Sequence, residues 1–245
     1  MTIRSNDLSN RSNGLSRRQA SIVAGIGLLL MAVLAPIANF GALLNLVVDG
    51  DPAATASNIL SSTGLFRTGI FLFLVVAILD VIVAWALYYL FLPANRALSL
   101  LTAWFRLAYA AVFVVAAGHL MQVLHLLTGT GGVGSLGREQ IHATAMLQLK
   151  QFMTTWDSGL LVFAAHLLVL GYLVFKSSVF PKFLGILVTL AGLGYSIDSL
   201  GKILVPGYGL TISMYTFIGE VLLIFWLFRR GFRGFEEEKS PDTPA

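Results

Sequence analysis

Four ionisable residues stand inside long apolar runs: Asp80, Arg106, His166 and Glu220. Asp80 is the plainest case. It lies near the middle of FLFLVVAILDVIVAWALYYLF, residues 71–91, which holds no other charged side chain. A charge at the centre of a bilayer costs about 2.5 to 3.5 kcal/mol on insertion scales, so such a residue is either compensated or used. Two carboxylates, a guanidinium and an imidazole form a set suited to a proton or a small polar ligand. The planar fork of Arg106 can neutralise Asp80 in the preceding span and can also hold Glu220. One negative charge is then in excess, unless a proton is bound or His166 is cationic. The competing reading is an interhelical clamp that only fixes helix register, and the sequence leaves both open.

A second polar layer is expected nearer the other end of the spans, made of Arg67, His119, His125, Asp157, Asp198 and Lys202. Asp198 and Lys202 are four apart, the spacing of an ion pair along one helix. His119 and His125 are six apart and so diverge around a helix, unlike the i,i+4 histidines of zinc-binding helices. A metal would need Asp157 or Asp198 as a further ligand, and none is expected.

Motifs for catalysis are missing. Ser135 lacks the G-x-S-x-G context, and no H-E-x-x-H or P-loop lysine occurs. Gly129, Gly131 and Gly134 satisfy G-x-G-x-x-G, but that fingerprint needs a strand before it and a helix after it. Here it follows an apolar helix and reads as a linker. No catalytic residue and no cofactor are expected.

These residues need elements to carry them. Of 245 residues 57% are hydrophobic and 11% charged, with mean hydropathy +0.82, whereas soluble domains are roughly a quarter charged. An all-α, polytopic helical membrane bundle is predicted. At roughly 20 apolar residues per crossing, about six spans are found, at 20–46, 66–92, 98–127, 156–175, 180–204 and 210–228. Residues 1–18 form a tail, 19–231 one membrane domain, and 232–245 a polar tail expected to be disordered. The run after Arg17 and Arg18 is too long for a signal h-region of about 7 to 15 residues, so it reads as a retained first span.

Charge sets orientation. Arg4, Arg11, Arg17, Arg18, Arg96, Lys176, Lys182, Arg229, Arg230, Arg233 and Lys239 fall on one side, against Arg67, Arg138, Lys150 and Lys202 on the other. By the positive-inside rule the first side, with both termini, is cytoplasmic. The net charge of +4 therefore reports anionic headgroups, not nucleic acid. Cysteine is absent, which excludes disulfides and thiolate chemistry.

Counted from the cytoplasmic ends at about 1.5 Å per residue, Asp80, Arg106, His166 and Glu220 share one depth. Three of them lie on stripes made mostly of small or hydroxyl residues, as close helix packing in lipid favours: Gly69, Phe73, Ala77 and Ala84 with Asp80; Ala103, Ala110 and Ala117 with Arg106; Ser213 and Thr216 with Glu220. Asp51 and Pro52 predict the start of a short interfacial helix from 52 to about 62. Ile141, Ala145, Leu149, Phe152 and Trp156 predict an amphipathic outer helix leading into the fourth span. Pro36 interrupts the first span, and Gly192 with Gly194 can loosen the fifth. Trp85, Tyr88, Tyr89, Trp156 and Trp226 read as interfacial anchors.

GDPAATASNILSSTGLFRTG (50–69), ALYYLFLPANRALSLL (86–101), LGYLVFKSSVFPKFLGILVTLAGLGYSID (170–198) and IGEVLLIFWLFRRG (218–231) together resemble the bacterial integral membrane proteins grouped as domain of unknown function 4386 (DUF4386). The resemblance implies a multi-span helical fold in a bacterial plasma membrane and brings no activity or site residues with it. The expected partners are the lipid bilayer and a small polar ligand or protons, with no nucleic acid. The two function classes are a small carrier or receptor built on the charge cluster, and a non-catalytic scaffold acting through its outer helix or Glu-rich tail.

Overall fold

A computed structural model describes residues 15–130 and 136–234. All regular structure among them is helical: α1 (Arg17–Pro36, continuing as a π-helical segment Ile37–Leu43), α2 (Pro52–Ser61), α3 (Thr63–Phe91), α4 (Arg96–Leu127), α5 (Arg138–Lys176), α6 (Lys182–Leu204), α7 (Ser213–Thr216) and α8 (Ile218–Arg233). Helix α1 opens on a capping box, in which the Gln19 amide donates to Ser16 Oγ at 3.2 Å and the Ser16 amide to Gln19 Oε1 at 3.1 Å. Pro36 brings no N–H to the ladder, and the chain answers by widening into the π-helical turns that follow. Helix α2 starts where Asp51 and Pro52 predict, with Asp51 Oδ1 accepting from the Ala54 amide at 2.9 Å.

Packing runs in sequence around a closed ring: α1 on α3, α3 on α4, α4 on α5, α5 on α6, α6 on α8, and α8 back on α1. The closing seam is pinned by Ser21 Oγ donating to the Leu227 carbonyl at 2.8 Å and by Arg18 Nε donating to the Gly231 carbonyl at 3.0 Å. Helices α5 and α6 touch backbone to backbone. A Cβ on Gly185 would lie 2.7 Å from the Gly171 carbonyl oxygen, the close approach that small residues permit. Gly192 serves the same packing, against Ala164 and Leu168, while Gly194 makes room for Thr216 and Ser213 of α7. They do not loosen the helix, since α6 is continuous through both.

The ring is apolar outside and sets a few ionisable side chains within an apolar core. Phe71, Ile78 and Val115 are about 60% exposed at mid-helix (63%, 62% and 62%), while Asp80 is 0% and Arg106 1% exposed. That inverts the pattern of a soluble domain and suits a lipid surround. Among the described residues five helices, counting α1 with its π-helical extension, are long and apolar enough to cross a membrane. The sixth apolar segment is divided at Phe217 into α7 and α8, and α8 alone has 16 residues.

Helix α5 has 39 residues and α4 has 32, about 58 and 48 Å at 1.5 Å per residue against a hydrocarbon core of about 30 Å. The end of α4 and the start of α5 therefore project as an antiparallel pair, with Leu120, Val123 and Leu124 buried along with Ala145, Leu149 and Phe152. The predicted amphipathic helix is thus the first half of α5. It is continuous with the span and covered on its apolar side, in part by α2. Helix α1 begins at Arg17 and α8 ends at Arg233, slightly past the tail boundaries read from sequence. Residues 1–14, 131–135 and 235–245, with half of the glycine-rich linker and most of the polar tail, lie outside the described residues.

Candidate functional site

Arg106 is the hub. It sits on the buried stripe of α4 with Ala103 and Ala110, and its side chain is buried among α3, α4, α5 and α1. Nη2 lies 2.7 Å from Asp80 Oδ1 on α3 and 3.7 Å from Met31 Sδ on α1. Nη1 lies 3.1 Å from His166 Nε2 on α5. The guanidinium carbon is 5.5 Å from the centroid of the Phe163 ring, one turn before His166, close enough for a cation–π contact.

These contacts decide the state of His166. A guanidinium N–H can only donate, so Nε2 must carry a lone pair. On the other ring nitrogen, Nδ1 is 2.8 Å from the Thr102 carbonyl, which can only accept, so Nδ1 carries the proton. The Thr102 hydroxyl donates to the His166 carbonyl at 3.0 Å and stands 3.0 Å from Nδ1. His166 is therefore a neutral Nδ1–H imidazole held on both sides. The cationic alternative left open by the sequence is excluded by this geometry, and the charge count falls to one arginine against two carboxylates.

Asp80, Arg106 and His166 meet as their common depth and small-residue stripes predict. Gly69, Phe73, Ala77 and Ala84 are buried with Asp80, and Ala103, Ala110 and Ala117 with Arg106. Glu220 differs. It faces Tyr195 on α6, and Arg106 and Asp80 reach it only through space. The physical reason is the ring order: α8 packs on α1 and α6, so the Glu220 carboxyl lies in the field of Arg106 and Asp80 without bonding to either. The shared Asp80–Arg106–Glu220 clamp is not formed.

Several polar atoms in this centre are buried without a hydrogen-bond partner among the described residues: both Asp80 oxygens, Arg106 Nε and Glu220 Oε1. Asp80 Oδ1 has its ion pair, but the approach lies outside hydrogen-bonding geometry. Buried polar atoms left unpaired are rare and expensive.

The second polar layer is not one layer. Lys202 Nζ pairs with Asp157 Oδ1 at 2.7 Å, not with Asp198. Asp198 instead accepts from Tyr208 Oη (2.9 Å), the Ile212 amide (2.9 Å), and the Ser213 amide and hydroxyl (2.7 and 2.6 Å). Its carboxylate ties α6 to the start of α7, where free amides favour an anion more than a neighbouring lysine does. His119 is held by Gln148 at 2.8 Å. Arg67 and His125 are exposed. Trp156 is not an interfacial anchor: its Nε1 donates to Tyr109 Oη at 3.1 Å within a cluster of Phe73, Phe113 and Phe152.

Sequence reasoning missed Thr102, Tyr109, Tyr195 and Met31. Thr102 had a usable signal, one turn before Arg106 on the same stripe. Tyr195 had one as well, a hydroxyl-bearing ring one turn before Asp198.

A ring of apolar helices around a buried arginine, carboxylate and histidine defines the chain as a helical bundle of membrane-spanning type. Residues 23–231 match the family described as Domain of unknown function (DUF4386), and the chain belongs to that family. It is 39% identical over 173 residues, 71% of this chain and 88% of the other, to an uncharacterized protein of the archaeon Archaeoglobus fulgidus. A similar chain thus occurs outside bacteria. No solved structure matches.

Proposed function

We propose that this is a six-pass protein of a cell membrane, with both termini cytoplasmic, acting as a small carrier or receptor whose buried cluster of Asp80, Arg106, His166 and Glu220 takes a proton or a small polar ligand. The observation that carries this reading is the set of unpartnered atoms at the centre of the ring: Asp80 Oδ2, Arg106 Nε and Glu220 Oε1. A site serving only to join helices has no use for open donors and acceptors, because each lowers stability. Ionisable residues within spans are by default a functional-site hypothesis. Divided helices such as α7 and α8 are also common beside the sites of membrane carriers.

The test is Glu220→Gln, which keeps size and hydrogen bonding but removes the charge. The variant inserts and folds, and loses ligand binding or pH response. Unchanged binding and pH response would remove the proposal.

The scaffold reading rests on a specific observation too, since Arg106 alone touches residues of α1, α3 and α5. It expects exchange of Asp80 and Arg106 for each other to preserve both stability and activity.

A further inference from the structure

Glu220 stands at the inner end of a file of polar side chains. Ser213, Thr216 and Glu220 follow at i, i+3 and i+7 across the joint at Phe217, with the Thr216 hydroxyl donating back to the Ile212 and Ser213 carbonyls at 3.3 and 3.4 Å. At about 1.5 Å per residue they cover about 10 Å of depth. Across the seam, Gly194 gives Thr216 room: a Cβ there would collide with the threonine side chain. Tyr195 beside it faces Glu220, and Asp198, one turn on, holds Ser213 through both its hydroxyl and its amide. The outer end is Tyr208, bonded to Asp198 and lying in the largely exposed connection after α6.

The charge balance gives the file a cargo. With His166 neutral and Arg106 committed to Asp80, the Glu220 carboxylate is the uncompensated charge. The groups facing it are Tyr195 from α6, Arg106 from α4 and Asp80 from α3. Helix α1, its other neighbour, carries no titratable side chain between Arg18 and Pro36. A metal ion would need several oxygen ligands, whereas a proton needs only Oε1.

We infer that Glu220 is a proton-exchange site connected through Thr216, Ser213 and Asp198 to the compartment at the Tyr208 end of the spans. A proton arriving there binds Oε1 and converts the carboxylate to a neutral carboxylic acid, which cancels the excess charge of the cluster. Release returns the proton by the same file. This inference rests on the carrier or receptor reading and specifies its cargo and its side of entry.

The test uses the full chain in vesicles of both orientations. Infrared difference spectra are recorded after a pH jump in the outer bath, followed at the carbonyl stretch of a protonated carboxyl group. The wild type gives such a band promptly when the Tyr208 end faces the bath and with delay when it faces the lumen. Glu220→Gln loses the band, and Thr216→Val keeps its amplitude but slows its appearance. Exchange of sodium for potassium at fixed pH leaves it unchanged. A band that survives in Glu220→Gln, one that is missing from the wild type at every pH, one indifferent to orientation and to Thr216→Val, or one set by the alkali ion would each overturn the inference. If the band is missing but a metabolite is retained by the wild type and lost from Glu220→Gln, the inference falls and the binding-site reading stands; if both are missing, both fall.

Discussion

Nη2 of Arg106 lies 2.7 Å from Oδ1 of Asp80, with the two side chains 2% and 0% exposed, and the same guanidinium holds His166 through Nη1. One arginine on α4 thus ties α3 to α5, and its removal leaves a carboxylate buried alone. Arg106→Gln is expected to cost about 3 to 5 kcal/mol. Arg106→Gln combined with Asp80→Asn costs less than Arg106→Gln alone, because no naked charge remains. Equilibrium unfolding in detergent measures both, and a double variant as unstable as the single one would show that the pair is not the source of the loss.

His166 is expected to be an Nδ1–H tautomer, since Thr102 accepts from one nitrogen and Arg106 donates to the other. Nitrogen chemical shifts of the labelled imidazole read this directly. Thr102→Val leaves the Thr102 carbonyl in place but removes the hydroxyl bridge, at a cost of about 1 kcal/mol. A doubly protonated ring in the resting protein would contradict the assigned charge balance.

Where α5 and α6 meet, any side chain on Gly185 has nowhere to go, as its Cβ would stand 2.5 Å from the Phe175 amide nitrogen and 2.7 Å from the Gly171 oxygen. Gly185→Val is expected to lower stability by at least the roughly 1 to 3 kcal/mol of core overpacking. Gly118, on the exposed face of α4 with nothing within 4 Å, is the control. Gly118→Ala is expected to be neutral or stabilising by up to about 1 kcal/mol. Similar effects at the two sites would mean the helices are not in backbone contact.

Asp198 gathers four donors from the α6–α7 connection. Asp198→Ala is expected to release residues 205–217, seen as faster amide hydrogen exchange there than in α4 or α5, with a loss of about 1.5 to 3 kcal/mol for charged hydrogen bonds. Lys202→Ala breaks only an exposed pair and costs at most about 1 kcal/mol. Equal protection of that connection in wild type and Asp198→Ala would sink this account of the joint.

The chain contains no cysteine, so single cysteines report sidedness without background. Ser5→Cys and Gln148→Cys are expected to react with an impermeant thiol reagent from opposite sides, and Ser5→Cys from the same side as Thr243→Cys. Labelling of positions 5 and 243 from different sides would replace six crossings by five.

Five of the spans, the capped short helix and the stripes beside Asp80 and Arg106 were legible in sequence because each is local: a window of apolar residues, an Asp-Pro start, small residues at helical spacing. The meeting of Asp80, Arg106 and His166 followed from their common depth together with the stripes that turn Asp80 and Arg106 inward. Partner choice was not legible where the ring order decides it. Glu220 and Arg106 share a depth but project from helices that are not neighbours. Asp198 and Lys202 share a helix but find better partners across it, in Ser213 and Asp157. The widening of α1 after Pro36 and the division at Phe217 were hidden because π-helical and split segments keep the same apolar composition as a straight span.

The central claim is that the buried cluster is a binding site and not only a clamp. Mass spectrometry of the gently purified protein, wild type beside Glu220→Gln, tests it most directly when run together with pH-dependent thermal unfolding of each. The account predicts that the wild type retains a small polar molecule or unfolds with a midpoint that moves with pH, and that Glu220→Gln does neither while staying folded. Two proteins that carry nothing and give superimposable unfolding curves at every pH would contradict it.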